Sequence, residues 1–162
     1  MFRIILTSLV ITTLASAELP DNLFVDAAPS NAVEVLAARA TPLPGTDITV
    51  RGVIGGRTKP FVDGRAVFTL IDRSLVCDTA CGTGWSGCGN PPEVLRAGLA
   101  VVQVSDGNGK PIAVPLAGTG KLSPGSTVVV KGSVAQGSTA SVLIVSATAI
   151  YIETPEKSAL TP

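Results

Sequence analysis

The sequence predicts an all-β protein built as one small barrel of five to six strands, and three observations predict it. First, 46% of the 162 residues are apolar and only 15% are charged, so one domain's worth of chain has ample material to bury. Second, β-branched runs alternate at period two from residue 46 onward, in a chain that carries 17 glycines and 12 prolines in all. Third, Gly52 and Gly132 interrupt otherwise regular strands, where a small closed barrel needs sharp coiling or a bulge. No spacing indicates a repeat protein.

Residues 1–17 (MFRIILTSLVITTLASA) have one basic residue, Arg3, then an apolar stretch, then Ala15-Ser16-Ala17. Small residues at −3 and −1 fit signal peptidase, so the expected product is exported, periplasmic or secreted, and begins at Glu18. The apolar run is shorter than the ~20 residues that span a bilayer, and no second segment is long enough. Twelve cations balance twelve carboxylates in the whole chain; loss of Arg3 leaves a mature charge of −1. That balance argues against charge-driven binding to bulk DNA. The absence of histidine excludes Ser-His-Asp and Cys-His catalysis and any imidazole metal ligand.

Residues 18–45 read as a loose lead-in followed by a short helix. Asn31 is placed as N-cap with Glu34 reaching back, and Val33, Leu36 and Ala37 on one face. Pro42 and Pro44 end it. Strands follow at 47–54, 65–72, 99–105, 111–116, 126–135 and 141–152. Ala66, Phe68 and Leu70 share one face of the second. Asp106-Gly107-Asn108-Gly109 marks a hairpin turn, and Pro111 and Pro115 reduce the strand after it to a short edge. Phe24 and Tyr151 are expected to join the lead-in and the last strand to the barrel. Residues 154–162 read as a disordered tail.

Three motifs stand in order: Val50-Arg51-Gly52-Val53, then Phe68-Thr69-Leu70-Ile71-Asp72, then residues 122–132 (LSPGSTVVVKG), before an alternating strand with Ala147 and Ile150. In this order they resemble small exported bacterial proteins of the oligonucleotide/oligosaccharide-binding (OB) fold. The resemblance spans residues 46–153. It departs from that family's pattern in a 26-residue insertion at 73–98, between strands 2 and 3, and in the extra hairpin before the fourth family strand. It implies a binding groove along the loop after the first strand and the faces of the second and third.

That groove would hold the basic stretch Arg51, Arg57, Lys59, Arg65 and Arg73, five cations in 23 positions opposed only by Asp63 and Asp72. With Phe61 and Trp85 for stacking, it could take an anionic glycan or a nucleic-acid strand. The competing reading is a solvated charged edge that discourages sheet-to-sheet pairing. Trp85 is either a stacking platform or, more in keeping with a Cys/Gly loop, the plug of a miniature core.

Cys77, Cys81 and Cys88 all lie in the insertion. In an exported chain a disulfide staple is the first reading, with Cys77–Cys88 and Cys81–Cys88 easier to close than Cys77–Cys81. The odd cysteine is then buried or links two copies as a disulfide homodimer. A zinc site of three thiolates with Asp78 lacks a C-x-x-C pair and a fourth strong ligand, and no neighbouring cation activates a catalytic thiol. Gly107-Asn-Gly-Lys110 and Gly118-Thr-Gly-Lys121 lack phosphate-loop spacing, and Asp106 lacks the carboxylates of a calcium loop. No motif implies a cofactor. The sequence therefore points to a non-catalytic binding or interaction module of the cell envelope, its partner an anionic oligomer or an envelope protein. The alternatives are an assembly protein joined through its odd cysteine and, least favoured, a zinc or thiol enzyme.

Overall fold

A computed structural model describes residues 18–40, 42–77 and 83–153. The leader, Asp78, Cys81 and the 154–162 tail lie outside the described residues. Among those described, no helix is long and apolar enough to cross a membrane.

The elements are β1 (Val33–Glu34), α1 (Val35–Arg39), β2 (Asp47–Ile54), β3 (Val67–Ile71), α2 (Pro92–Ala97), β4 (Leu99–Gln103), β5 (Thr127–Val134) and β6 (Leu143–Ile152). Strands β2-β3-β4-β6-β5 form one sheet that closes on itself through seven β2–β5 pairs, from Asp47↔Ser133 to Val53↔Thr127. Every junction in the ring is antiparallel except β4–β6. This is an all-β, OB-like barrel of five strands, with β1 added outside the ring. The inward alternation is carried by Val50 and Ile54, Phe68 and Leu70, Ala100 and Val102, Val128 and Val130, and Leu143 and Val145.

The bulge expected at Gly132 is built, while the β2 register runs unbroken through Gly52. Lys131 pairs with Ala149 but Gly132 with Ala147, so Thr148 is the extra residue of a bulge on β6. The bulge moves the inward phase from Leu143, Val145 and Ala147 to Ile150. A Cβ on Gly132 would lie 2.1 Å from the Ser146 carbonyl oxygen, so only glycine lets the two backbones come this close. On Gly52, a Cβ would meet Ile71 O and Val35 Cγ2 at 3.0 Å.

The lead-in is not loose. Strand β6 has ten residues and β4 only five, so beyond Ser146 the β6 backbone needs other partners. Residues 23–25 supply them: Val25 N–H donates to Ile150 O, Ile150 N–H donates to Leu23 O, and Leu23 is fully buried. The expected joining role of Phe24 is met through its bridge to Ile150. By the same logic β1 runs parallel to β2, pairing Val33 with Val50 and Glu34 with Arg51 beside the two residues that β3 covers.

The helix is also shorter than its sequence pattern. Asn31 does not cap it but sits at φ +60, and the N-cap is Glu34, whose side chain makes no capping bond. The first-turn amide of Leu36 instead donates to Asp72 Oδ2 at 2.8 Å, a carboxylate 36 residues away. Val35 and Ala38 point into the barrel core, and Arg39 donates to the carbonyls of Leu99, Ala140 and Ser141. Burial pulls the Arg39 guanidinium below its ordinary value. The 111–116 strand reduces to one bridge, Ser105↔Pro111, because prolines at 111 and 115 withhold the amides a ladder needs. The turn before it forms as read: Asp106 Oδ1 accepts from the Lys110 and Asn108 amides, which hold its carboxyl below the usual range.

Candidate binding surfaces

Asp72 closes the second strand motif and opens the insertion. It is 3% exposed. One oxygen accepts from Leu36 N–H and the other from the Ser74 amide and hydroxyl, capping a 3-10 turn over Arg73–Leu75. Burial alone would raise its pKa, but the hydrogen bonds from Leu36 and Ser74 outweigh that and hold the carboxyl below its ordinary value. The insertion then folds back over the barrel. Asn90 donates to the carbonyls of Leu75 and Gly87, and α2 returns the chain to β4. Val53, Ile71 and Leu75 form a second, smaller core, with Trp85, Leu95 and Leu99 packed on it. Trp85 is half-buried here, the plug rather than the platform, and its carbonyl accepts from Gly56 N–H at 2.8 Å. The insertion therefore covers the outer face of β2, β3 and β4 around Val53, Ile71 and Leu99, where the family resemblance places a ligand.

Within it, Cys77 is half-buried and carries no disulfide, so the Cys77–Cys88 staple is not formed although the two sulfurs are 3.6 Å apart. Cys77 Sγ contacts the Cys88 carbonyl, and its amide donates to Gly84 O. The zinc set weighed above falls partly on undescribed residues.

The five cations separate into two groups. Arg51 donates through Nε and Nη2 to Glu153 Oε1. Arg73 grips Glu34 with Nη2 to Oε1 at 2.6 Å; that hydrogen bond, with the charges of Glu34, Glu153 and Asp72, raises its pKa. These two are ion-paired within the protein, on side chains that keep solvent contact. Arg57, Lys59 and Arg65 are exposed, and no ion pair involves them among the described residues. Phe61 faces the barrel instead of solvent: it bridges Phe68, with ring centroids 5.9 Å apart, and packs on the main core.

Sequence reasoning missed the residue that shapes this loop. Thr69, 7% exposed, accepts from Gly55 N–H, donates its hydroxyl to Gly55 O at 2.7 Å, and donates its amide to Pro60 O at 2.8 Å. One threonine thus pins both ends of the 55–60 loop. The only advance signal was a polar residue amid apolar ones in the second strand motif.

A groove of about 1110 Å³ was also missed. Its walls are the lead-in around Phe24–Ala28 and the loop 120–127, and the end of β6 with Arg51 lines it between them. Arg51 and Tyr151 both stand opposite Val129, so they share one row on the outer face. Lys121, held at φ +70, and the hydroxyl residues Ser123, Ser126 and Thr127 complete it. In the sequence, Lys121 stands out only as the end of Gly118-Thr-Gly-Lys121, which lacks phosphate-loop spacing. Compared with known proteins, the chain matches no family model, no curated protein and no solved structure.

Proposed function

We propose that this chain is an exported, non-catalytic OB-like binding module of the bacterial cell envelope, released after Ala17, that captures an anionic ligand on its 55–65 loop. The observation that carries the reading is the exposed set Arg57, Lys59 and Arg65, unpaired among the described residues, the first two on the 55–60 stretch that Thr69 bonds at both ends. A rigid base reduces the ordering cost of binding, and cations free of internal partners need break no ion pair to engage an anion. With no aromatic face turned outward on this loop, charge outweighs stacking. An acidic glycan therefore fits better than a nucleic-acid strand, which stacks its bases.

The test is the R57E/K59E double variant of the mature protein, titrated with a sulfated oligosaccharide and, separately, with oligo-dT. Loss of sulfated-glycan binding, with the wild-type affinity weakening as salt rises, is the expected result. Equal binding by variant and wild type overturns the assignment. A second reading, assembly through the odd cysteine, is favoured by the unbridged Cys77. It requires a dimer band on non-reducing gels that disappears in Cys77→Ser.

A further inference from the structure

We infer that the groove between the lead-in, the end of β6 and the 120–127 loop is a second site, for a short uronic-acid oligosaccharide whose carboxylate takes the place of Glu153 on Arg51. The inference rests on the reading above that the ligand is anionic, but it uses a different wall of the barrel.

Glu153 already demonstrates the recognition. Its carboxylate lies in the groove and accepts from both Nε and Nη2 of Arg51, the edge a guanidinium offers to any carboxylate. Both side chains of this pair keep solvent contact, and such pairs are weak, so an incoming carboxylate can exchange for it readily. The remaining chemistry suits a sugar. Tyr151 stands in the same row as Arg51, presenting an aromatic ring to stack on a pyranose face. Ser126 and Thr127 bring hydroxyls, and Lys121 adds a second cation. The charges lining the groove, Arg51 and Lys121 against Asp26 and Glu153, balance. The site therefore favours a ligand with one carboxylate per ring over a dense polyanion. Its 1110 Å³ exceeds the roughly 300–1,000 Å³ of a site for a drug-sized ligand, giving room for more than one ring.

The groove also has a built-in reporter. Gly125 in its wall backs onto Trp85, so closely that a Cβ there would lie 3.2 Å from the indole Cδ1. Trp85 is the chain's only tryptophan.

The experiment titrates the mature full-length protein with trigalacturonate, read by Trp85 fluorescence and by calorimetry. Removing the internal competitor, Glu153→Gln, should tighten binding by up to about fivefold, the factor an exposed ion pair can hold back. Arg51→Gln should weaken it by about tenfold or more. Lys121→Gln and Tyr151→Ala, which touch no ion pair, should weaken it as well and stand in if Arg51→Gln fails to fold. The methyl-esterified trisaccharide should bind as poorly as trigalacturonate does to Arg51→Gln. R57E/K59E should leave groove binding intact, so failure of the loop reading and failure of this one are separable. No binding by wild type and Glu153→Gln, or binding insensitive to all four groove variants, overturns the proposal. Tetraglutamate binding as tightly as trigalacturonate with the same Arg51 dependence overturns the saccharide assignment.

Discussion

Replacing Asp72 with alanine should unlatch two parts of the molecule at once. The carboxylate accepts from Leu36 N–H at 2.8 Å, Ser74 N–H at 3.0 Å and Ser74 Oγ–H at 2.7 Å. The variant leaves the helix amide and the 3-10 turn amide without that acceptor, and an unsatisfied buried donor costs about 1–3 kcal/mol. Leu36 and Ser74 are themselves exposed, so water partly replaces the carboxylate. The low end for each gives about 2–3 kcal/mol in all, a large share of a domain's roughly 5–15 kcal/mol. For a chain of this size that corresponds to a Tm lower by roughly 10 °C. Urea unfolding at pH 7, followed by far-ultraviolet circular dichroism and by Trp85 fluorescence, measures it. Asp72→Asn should fall between, because an amide oxygen still accepts on one side. The pH dependence has a fixed sign. The folded carboxyl has a lowered pKa, so the unfolded chain binds the proton more readily. The stabilisation is complete above the unfolded value of about 4 and disappears as pH falls through the lower folded value. The wild-type advantage over Asp72→Asn should therefore shrink below about pH 4. A loss under about 1 kcal/mol at pH 7, or a difference between the two proteins that does not change from pH 7 to pH 3, would refute the latch.

Two further substitutions separate close packing from ordinary turns and loop anchoring from charge. Gly132→Ala forces a Cβ to within 2.1 Å of the Ser146 carbonyl in a buried bulge, and should cost about 1–3 kcal/mol or more in urea. Gly107→Ala, with nothing within 4 Å of the new atom, should stay within about 0.5 kcal/mol. Thr69→Val keeps the shape but removes the hydroxyl bond to Gly55. It should cost about 1–2 kcal/mol, speed amide exchange in residues 55–60, and lower affinity for the sulfated glycan with every loop cation still present. Unchanged exchange in that loop would mean that the backbone bonds alone hold it.

The barrel was legible because its signals are local. Period-two alternation, a turn at 106–109 and the strand glycine at 132 are each written in a few neighbouring residues, and each formed. What the sequence hid was pairing across distance. Leu23 looked like part of a loose lead-in because nothing near it says that β6 outruns β4 and needs its carbonyl. Asn31 offered a plausible cap, but the acceptor for α1 came from Asp72, whose apparent role was only to end a motif. The cation cluster at 51–73 was real in sequence. Its division into ion-paired and unpaired members depended on Glu34 and Glu153, which lie far along the chain from Arg73 and Arg51. Phe61 followed the reverse course: as an aromatic beside cations it suggested stacking, and the burial of hydrophobic area drew it inward instead, whereas Trp85 is the plug that its Cys/Gly surroundings favoured.

The insertion decides which outer face of this barrel stays open. An OB-like barrel alone would expose Val53, Ile71 and Leu99 on its outer face, an apolar patch that a ligand could use. Here Leu75, Trp85 and Leu95 occupy it. A core this small cannot order the described parts of the insertion by burial alone, since each ordered residue loses about 1–2 kcal/mol of backbone entropy. It needs the Asp72 cap, the Asn90 bonds and the Gly56–Trp85 bond as well. The same Gly56 belongs to the cation-bearing loop, so the cover and the loop share an anchor. Trp85 also abuts the groove wall at Gly125. Occupying this apolar face thus leaves the two neighbouring surfaces, loop and groove, mechanically tied to one tryptophan. A ligand arriving at either should change the fluorescence of Trp85, although its ring faces the second core rather than either ligand.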